Sequence, residues 1–226
     1  MEMEVKEMPL VIKWEKETAM RNRYAFILLT ILGALLILSS PVLISAKNRL
    51  QSLLAASHIL NENKHYQQRE EIYRVLSQSD IQLGDAMEIT QAVMNESRKS
   101  NIPVSLFLAI MKKESNFNVD ARSSANAMGI MQIHPLTWDA YAKKMNLPVA
   151  RKKAFDPALN IMVSAAVLND LRDYYTKKGY RGNVLWDYVL SAYYAGAESV
   201  KGGLTHNHRR YVKKVREYAD DLSKTI

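Results

Sequence analysis

Residues 106–133 read Leu-Phe-Leu-Ala-Ile-Met-Lys-Lys-Glu-Ser-Asn-Phe-Asn-Val-Asp-Ala-Arg-Ser-Ser-Ala-Asn-Ala-Met-Gly-Ile-Met-Gln-Ile. Val104, Leu106, Phe107, Leu108, Ile110 and Met111 leave almost no polar face, so the segment is predicted to be a buried helix. Glu114 falls at its C-terminal end. There a carboxylate meets the negative end of the helix dipole beside apolar neighbours, and both effects favour the protonated form, as a general acid requires. The competing reading is a solvated glutamate, with Lys112 and Lys113 completing a charged surface. The loop that follows favours a site: Ser123, Ser124, Asn126 and Gly129 allow close backbone approach to a ligand, and Met128-Gly129-Ile130-Met131-Gln132 sets one amide among apolar side chains.

Between Ile102 and Pro135 the chain resembles, without a gap, the soluble lytic transglycosylase family of the lysozyme-like superfamily. Glu114-Ser115 stands on the family's catalytic Glu-Ser, Phe117-Asn118 and Ser123 on the Phe-Asn and Ser of the next loop, and Gly129-Ile130-Met131-Gln132 on its Gly-Leu-Met-Gln. Ala192-Tyr193-Tyr194-Ala195-Gly196 resembles the Ala-Tyr-Asn-Ala-Gly motif, and Tyr211-Val212 the Tyr-Val near the domain's end. Four blocks in the right order are far more specific than any one of them. Two positions depart from the pattern: Tyr194 replaces Asn, and Asn126 replaces Gly, a mild change because Asn tolerates left-handed backbone.

The resemblance implies that Glu114 protonates the leaving oxygen of a β-1,4 bond between N-acetylmuramic acid and N-acetylglucosamine in peptidoglycan. It further implies that, assisted by the substrate's N-acetyl group, Glu114 then draws the muramyl 6-hydroxyl onto the anomeric carbon, giving a 1,6-anhydromuramyl end. Ser115 would steady the acid or its loop, Met131, Gln132 and Tyr211 would line the groove, and Tyr193 would bond Glu114 or the sugar. Ser123 and Tyr194 complete the expected substrate-binding set. Glycosidic cleavage ordinarily calls on a second carboxylate, but Asp120, Asp139, Asp156 and Glu198 carry no mark of that role. A hydrolytic muramidase and a non-catalytic glycan-binding assembly subunit are the rival readings.

Residues 24–46 contain no charge, and Arg21, Arg23, Lys47 and Arg49 flank them. That length suits one transmembrane helix. Ile44-Ser45-Ala46 also offers a passable cleavage site, but the apolar run is longer than a signal peptide's, so a retained anchor is expected. Residues 1–23 form a short N-terminus, and its five Lys or Arg against three in the twenty residues after the span (Lys47, Arg49, Lys64) predict that it is cytoplasmic. The catalytic domain then faces the periplasm and wall from a single-pass inner-membrane position.

Residues 47–83 read as a helical stalk, with apolar positions that lapse between Asn61 and Glu71, too early for a sustained coiled coil. The domain is expected over 84–226, with Asp85 as a cap-like start, a break at Asn101-Ile102-Pro103, a helix after Pro135, another after Asp156-Pro157, one into Tyr193 and a last one from Tyr211. The fold class is therefore mainly α, and the resemblance implies a lysozyme-like domain, preceded by one transmembrane helix and a stalk.

The 226 residues, 48% apolar, suffice for one core with accessory segments. The absence of cysteine excludes disulfides and thiolate metal sites. His206 and His208 lack partners at a metal-ligand spacing, and no cofactor motif occurs. The net charge is +8. Because residues 1–23 hold five basic and five acidic groups, that excess lies beyond them, where it suits acidic wall polymers, anionic lipid head groups or a plain solvated surface. Arg209, Arg210, Lys213, Lys214 and Arg216 cluster without a nucleic-acid motif, so nucleic acid is not an expected partner. Peptidoglycan strands and the inner membrane are, and a secretion, conjugation or phage assembly is a further candidate.

Overall fold

The computed structural model describes residues 20–33 and 40–226, and it divides into two compact units, Met1–Asn63 and Lys64–Ile226. In the first unit, residues 20–33 form helix α1, whose Tyr24, Phe26, Leu28, Leu29 and Ile31 are exposed. Among the described residues no helix is long and apolar enough to cross a membrane. Residues 34–39 of the expected anchor lie outside the described residues. Helix α2, Pro41–Ser77, begins with proline at its first position, where the missing N–H is not needed, and Ser40 Oγ accepts from Leu43 N at 3.2 Å.

The end of α2 belongs to the second unit. Ile72 and Leu76 in its last turns are fully buried in the hydrophobic core. The core therefore draws on residues within the segment read from sequence as stalk.

Helix α3, Leu83–Ser100, starts one turn earlier than the sequence suggests. Gln82 is its N-cap residue, and Asp85 lies within the first turn, where its charge suits the helix dipole without capping. Asn101 ends α3 in the left-handed conformation (φ 54°), and Ile102-Pro103 leads into α4, Val104–Ser115. Phe107, Leu108, Ala109, Ile110 and Met111 of α4 are wholly buried, as its unbroken apolar run requires. Burying such side chains contributes roughly 1.5–3 kcal/mol each, so α4 is the spine of the core.

Residues 116–134 form a loop tied by isolated antiparallel bridges, Arg122 with Met128 and Met128 with Ile133; no strand is built among the described residues. Helix α5 (Pro135–Lys144) and a short 3-10 turn (Arg151–Phe155) follow. Helix α6, Pro157–Lys177, begins with the expected cap, Asp156 accepting from Leu159 N at 3.0 Å. Helix α7 (Gly182–Ala195) and a 3-10 turn (Ala197–Val200) lead to helix α8, His206–Ser223. This last helix begins five residues before Tyr211 because Thr205 and His208 form a capping box that the sequence reading overlooked. Packing of α4 on α8, α3 on α6, and α7 on both α6 and α8 encloses the core.

Candidate active site

The last turn of α4 carries Glu114. The helix stops immediately after it because Asn116 turns left-handed (φ 51°) and its N–H bonds the Lys112 carbonyl, while Phe117 (φ 67°) folds the chain back onto Met111. Glu114 is thereby held partly buried at the edge of the core. Tyr211 from α8 donates its hydroxyl to Glu114 Oε1 at 2.5 Å. Burial holds the Glu114 carboxyl above its ordinary pKa, opposed by the Tyr211 hydrogen bond and the Lys113 charge. Tyr211 is itself buried, and burial and the adjacent carboxyl push its phenol well up. It therefore stays protonated and remains a donor at neutral pH.

Ser115 connects the acid's helix to the following loop: its Oγ lies 3.1 Å from the Met111 carbonyl and 2.8 Å from that of Ile130. The loop is fixed from the other side by Asn160 of α6, wholly buried, whose Nδ2 donates to the Met128 (3.0 Å) and Ala154 (2.7 Å) carbonyls while its Oδ1 accepts from Met131 N at 2.8 Å. Gly129, at φ +74°, passes so close that a Cβ would lie 2.4 Å from the Ala154 carbonyl oxygen. Only glycine fits there.

The residues expected to bind substrate separate into two groups. Glu114, Tyr211 and Tyr194 come together: the Tyr194 ring stacks on Tyr211 with centroids 4.5 Å apart and planes 16° from parallel, and it is 46% exposed. Met131, Gln132, Ser123 and Tyr193 hold the loop. Met131 is wholly buried, so its side chain faces the core and not an open groove. Gln132 adopts φ 53° and directs its amide Nε2 to the Ala121 and Gly129 carbonyls. Ser123 Oγ accepts from Ala127 N, closing a turn at 3.0 Å.

Of the two partners expected for Tyr193, Glu114 or the sugar, Glu114 is not bonded by it. The Tyr193 hydroxyl donates to the Met131 carbonyl at 2.8 Å and lies 3.1 Å from Ser164 Oγ, and the hydrogen bond to Glu114 comes from Tyr211 instead. α7 and α8 both reach this end of the core, and packing assigns the contact.

The four other carboxylates weighed as a second catalytic group are elsewhere engaged or exposed. Asp139 pairs with Arg151 and Glu198 with Lys201, Asp156 caps α6, and Asp120 is an exposed loop residue. His208 is a buried cap, with Nδ1 accepting from Thr205 N and Nε2 at 3.3 Å from Ser199 Oγ. Among the described residues no three His, Cys, Asp or Glu side chains gather as a metal site.

Asn160 and Ser164 were missed in the sequence. Their signal was available: two polar residues four apart in an otherwise apolar stretch of helix.

The family model described as Transglycosylase SLT domain matches residues 91–216. This chain belongs to that family. That range contains Glu114, Asn160, Tyr193 and Tyr211. The chain is 40% identical over 119 residues to the membrane-bound lytic murein transglycosylase C of Klebsiella pneumoniae strain 342, covering 48% of this chain and 31% of that one. It is 40% identical over 111 residues to the protein of the same name from Histophilus somni strain 2336, covering 48% and 30%. The match thus spans about a third of the length of these relatives. Among solved structures, the 70 kDa soluble lytic transglycosylase of Escherichia coli is similar with a TM-score of 0.53 at 20% identity, over 71% of this chain and 30% of that one. An inactive mutant of lytic transglycosylase Slt from Pseudomonas aeruginosa gives 0.51 at 23%, over 59% and 24%. Both likenesses bear on the fold alone, which is mainly helical.

Proposed function

We propose that this SLT-family chain is a peptidoglycan lytic transglycosylase in which Glu114 serves as general acid and then general base. The observation that carries the reading is Glu114 itself: a partly buried carboxyl of raised pKa at the end of a buried helix, held by the Tyr211 hydroxyl and without a second carboxylate among its hydrogen-bond partners. Such a group is poised to be protonated when substrate arrives. It gives its proton to the glycosidic oxygen, the bond to the anomeric carbon breaks, and the substrate's N-acetyl oxygen stabilises the positive charge there. The Glu114 carboxylate then takes the proton from the muramyl 6-hydroxyl as that oxygen bonds the anomeric carbon. Glu114 is again protonated, no water is consumed, and a 1,6-anhydromuramyl end is left.

Ser115, Asn160 and Tyr193 serve this chemistry by fixing the loop beside the acid, Tyr211 holds the acid through its hydroxyl, and the exposed Tyr194 ring offers aromatic surface to the glycan. Residues 24–46 anchor the chain in the inner membrane with the domain on the wall side. The names of the relatives, membrane-bound lytic murein transglycosylases, support both parts of the reading.

Glu114→Gln tests it. Gln still accepts the Tyr211 hydrogen bond but cannot carry the proton, so cleavage should fall by several orders of magnitude, about the factor of one positioned acid or base taken twice. Folding and glycan binding should remain. Wild-type digests examined by mass spectrometry should contain muropeptides one water lighter than hydrolysis gives. Ordinary reducing ends would instead indicate a muramidase, and full activity in the variant would remove Glu114 from the mechanism.

A further inference from the structure

The end of α7 and the start of α8 are joined by a series of hydrogen bonds centred on His208, a ring only 4% exposed, whose two nitrogens must therefore find partners inside the protein. Nδ1 lies 3.1 Å from Thr205 N, and a backbone N–H can only donate, so Nδ1 carries the lone pair. The neutral ring then has its proton on Nε2, because the bond made by one nitrogen fixes the state of the other. Nε2 is 3.3 Å from Ser199 Oγ, and that hydroxyl gives its own proton to the Gly196 carbonyl at 2.7 Å. Each donor in the series meets an acceptor: Thr205 N–H to Nδ1, Nε2–H to Ser199 Oγ, and Ser199 O–H to Gly196. A cap on α8 requires only the first of these, since Thr205 and Nδ1 complete the capping box by themselves. The other two bonds reach across to Gly196, the residue at which α7 stops.

The position of this junction gives its role. His208 and Tyr211 are three residues apart, on one face of α8, and both are buried. Tyr194, two residues before Gly196, packs against both. It meets the His208 ring edge-on, with centroids 6.5 Å apart and planes at 83°, and stacks face to face on Tyr211 at 4.5 Å. Tyr211 in turn donates to Glu114 Oε1. Tying Gly196 to His208 thus fixes the spacing of the two helix ends where Tyr194 backs the ring that serves the acid. Hydrogen bonds weaken steeply when misaligned, so slack at this junction reaches the Glu114 carboxyl as a poorer bond.

Resting on the proposed role of Glu114, we infer that Ser199 and His208 are positioning residues for that acid: their hydrogen bond clamps the end of α7 to the start of α8 and so holds the Tyr211 hydroxyl on the carboxyl. Both act through Tyr211.

The test uses the full chain with its glutamate carboxyls labelled with carbon-13, titrated with pH in the absence of substrate and followed by NMR; the Glu114 signal is identified by its loss in Glu114→Gln. The Tyr211 hydrogen bond favours the carboxylate, so loosening it moves the Glu114 midpoint to higher pH. Ser199→Ala should do this, by less than Tyr211→Phe does, and should add nothing when combined with Tyr211→Phe. Ser199 is exposed, so the fold is not at stake. Ser199→Thr keeps the hydroxyl and should titrate as the wild type. On peptidoglycan, Ser199→Ala should lower kcat by about two- to fivefold with KM little changed. Nitrogen-15 NMR of the wild-type ring should show His208 protonated on Nε2 and bare on Nδ1. A midpoint or a kcat that stays in place in Ser199→Ala, a midpoint that moves equally in Ser199→Thr, or a His208 ring protonated on Nδ1 would each overturn the inference. A midpoint that shifts as expected in a chain that cleaves no peptidoglycan would count against the proposed activity and leave the clamp standing.

Discussion

Glu114 and the two tyrosines beside it can be separated by their effects on acidity. The Tyr211 hydrogen bond lowers the pKa of Glu114 against the larger, opposite effect of burial. Tyr211→Phe removes the lowering contribution and moves the pKa further up. Because the first step needs protonated Glu114, the alkaline fall in kcat should shift to higher pH in this variant. Turnover at the optimum should drop about tenfold, as expected for loss of a hydrogen bond to an ionisable partner. A pH profile that does not move would show that Tyr211 leaves the acid's titration untouched. Tyr194 acts one ring further out. Tyr194→Asn restores the residue seen in the family motif but deletes the ring stacked on Tyr211. It should retain the fold, lower stability by about 0.5–1.5 kcal/mol, and reduce kcat a few-fold through a less firmly held Tyr211. Thermal unfolding and steady-state kinetics measure these separately, and an unchanged kcat would mean that Tyr211 keeps its place unaided.

At the level of elements, the site depends on the grip of α6 on the 128–133 loop. Asn160 makes three hydrogen bonds in full burial. Asn160→Ala leaves the Met128 and Ala154 carbonyls and the Met131 N–H without partners in a dry interior, where each loss costs about 1–3 kcal/mol. A destabilisation of about 3 kcal/mol or more is expected, together with loss of activity, because the same loop carries the Ile130 carbonyl that Ser115 bonds. Chemical denaturation checks the first effect. A variant of wild-type stability would show that the loop holds its shape without α6.

For the whole molecule, the prediction concerns residues 24–46. As an anchor they remain in the mature protein, and the SLT domain lies outside the cytoplasm. Reporters active on one side of the membrane only, fused after Ile226, test the side, and N-terminal sequencing tests retention. A mature chain beginning at Lys47 would refute the anchor. Charge also acts at this scale: with a net +8, binding to anionic wall material should weaken as ionic strength rises.

What the sequence determined by itself follows from local chemistry. The apolar run of 104–111 suits a buried helix, Asn101-Ile102-Pro103 breaks the chain before it, and Asp156-Pro157 starts α6. The order of the motif blocks is likewise written in the chain, and with it the family. Tertiary structure decided which groups meet. Tyr193 lies in the stronger motif, yet Tyr211, 97 positions from Glu114, reaches the carboxylate because α8 packs on α4. Met131 and Gln132 look alike as groove residues in a one-dimensional reading. In the fold, one is buried in the core and the other ties down its own loop. Likewise, no pattern in the chain shows that Arg216 is neutralised, since that pairing depends on Asp187 arriving from α7. Helical periodicity and turn chemistry act over a few residues and are legible in sequence. Hydrogen bonds and charge balance between distant segments are set by how the helices dock, and only the folded chain specifies them.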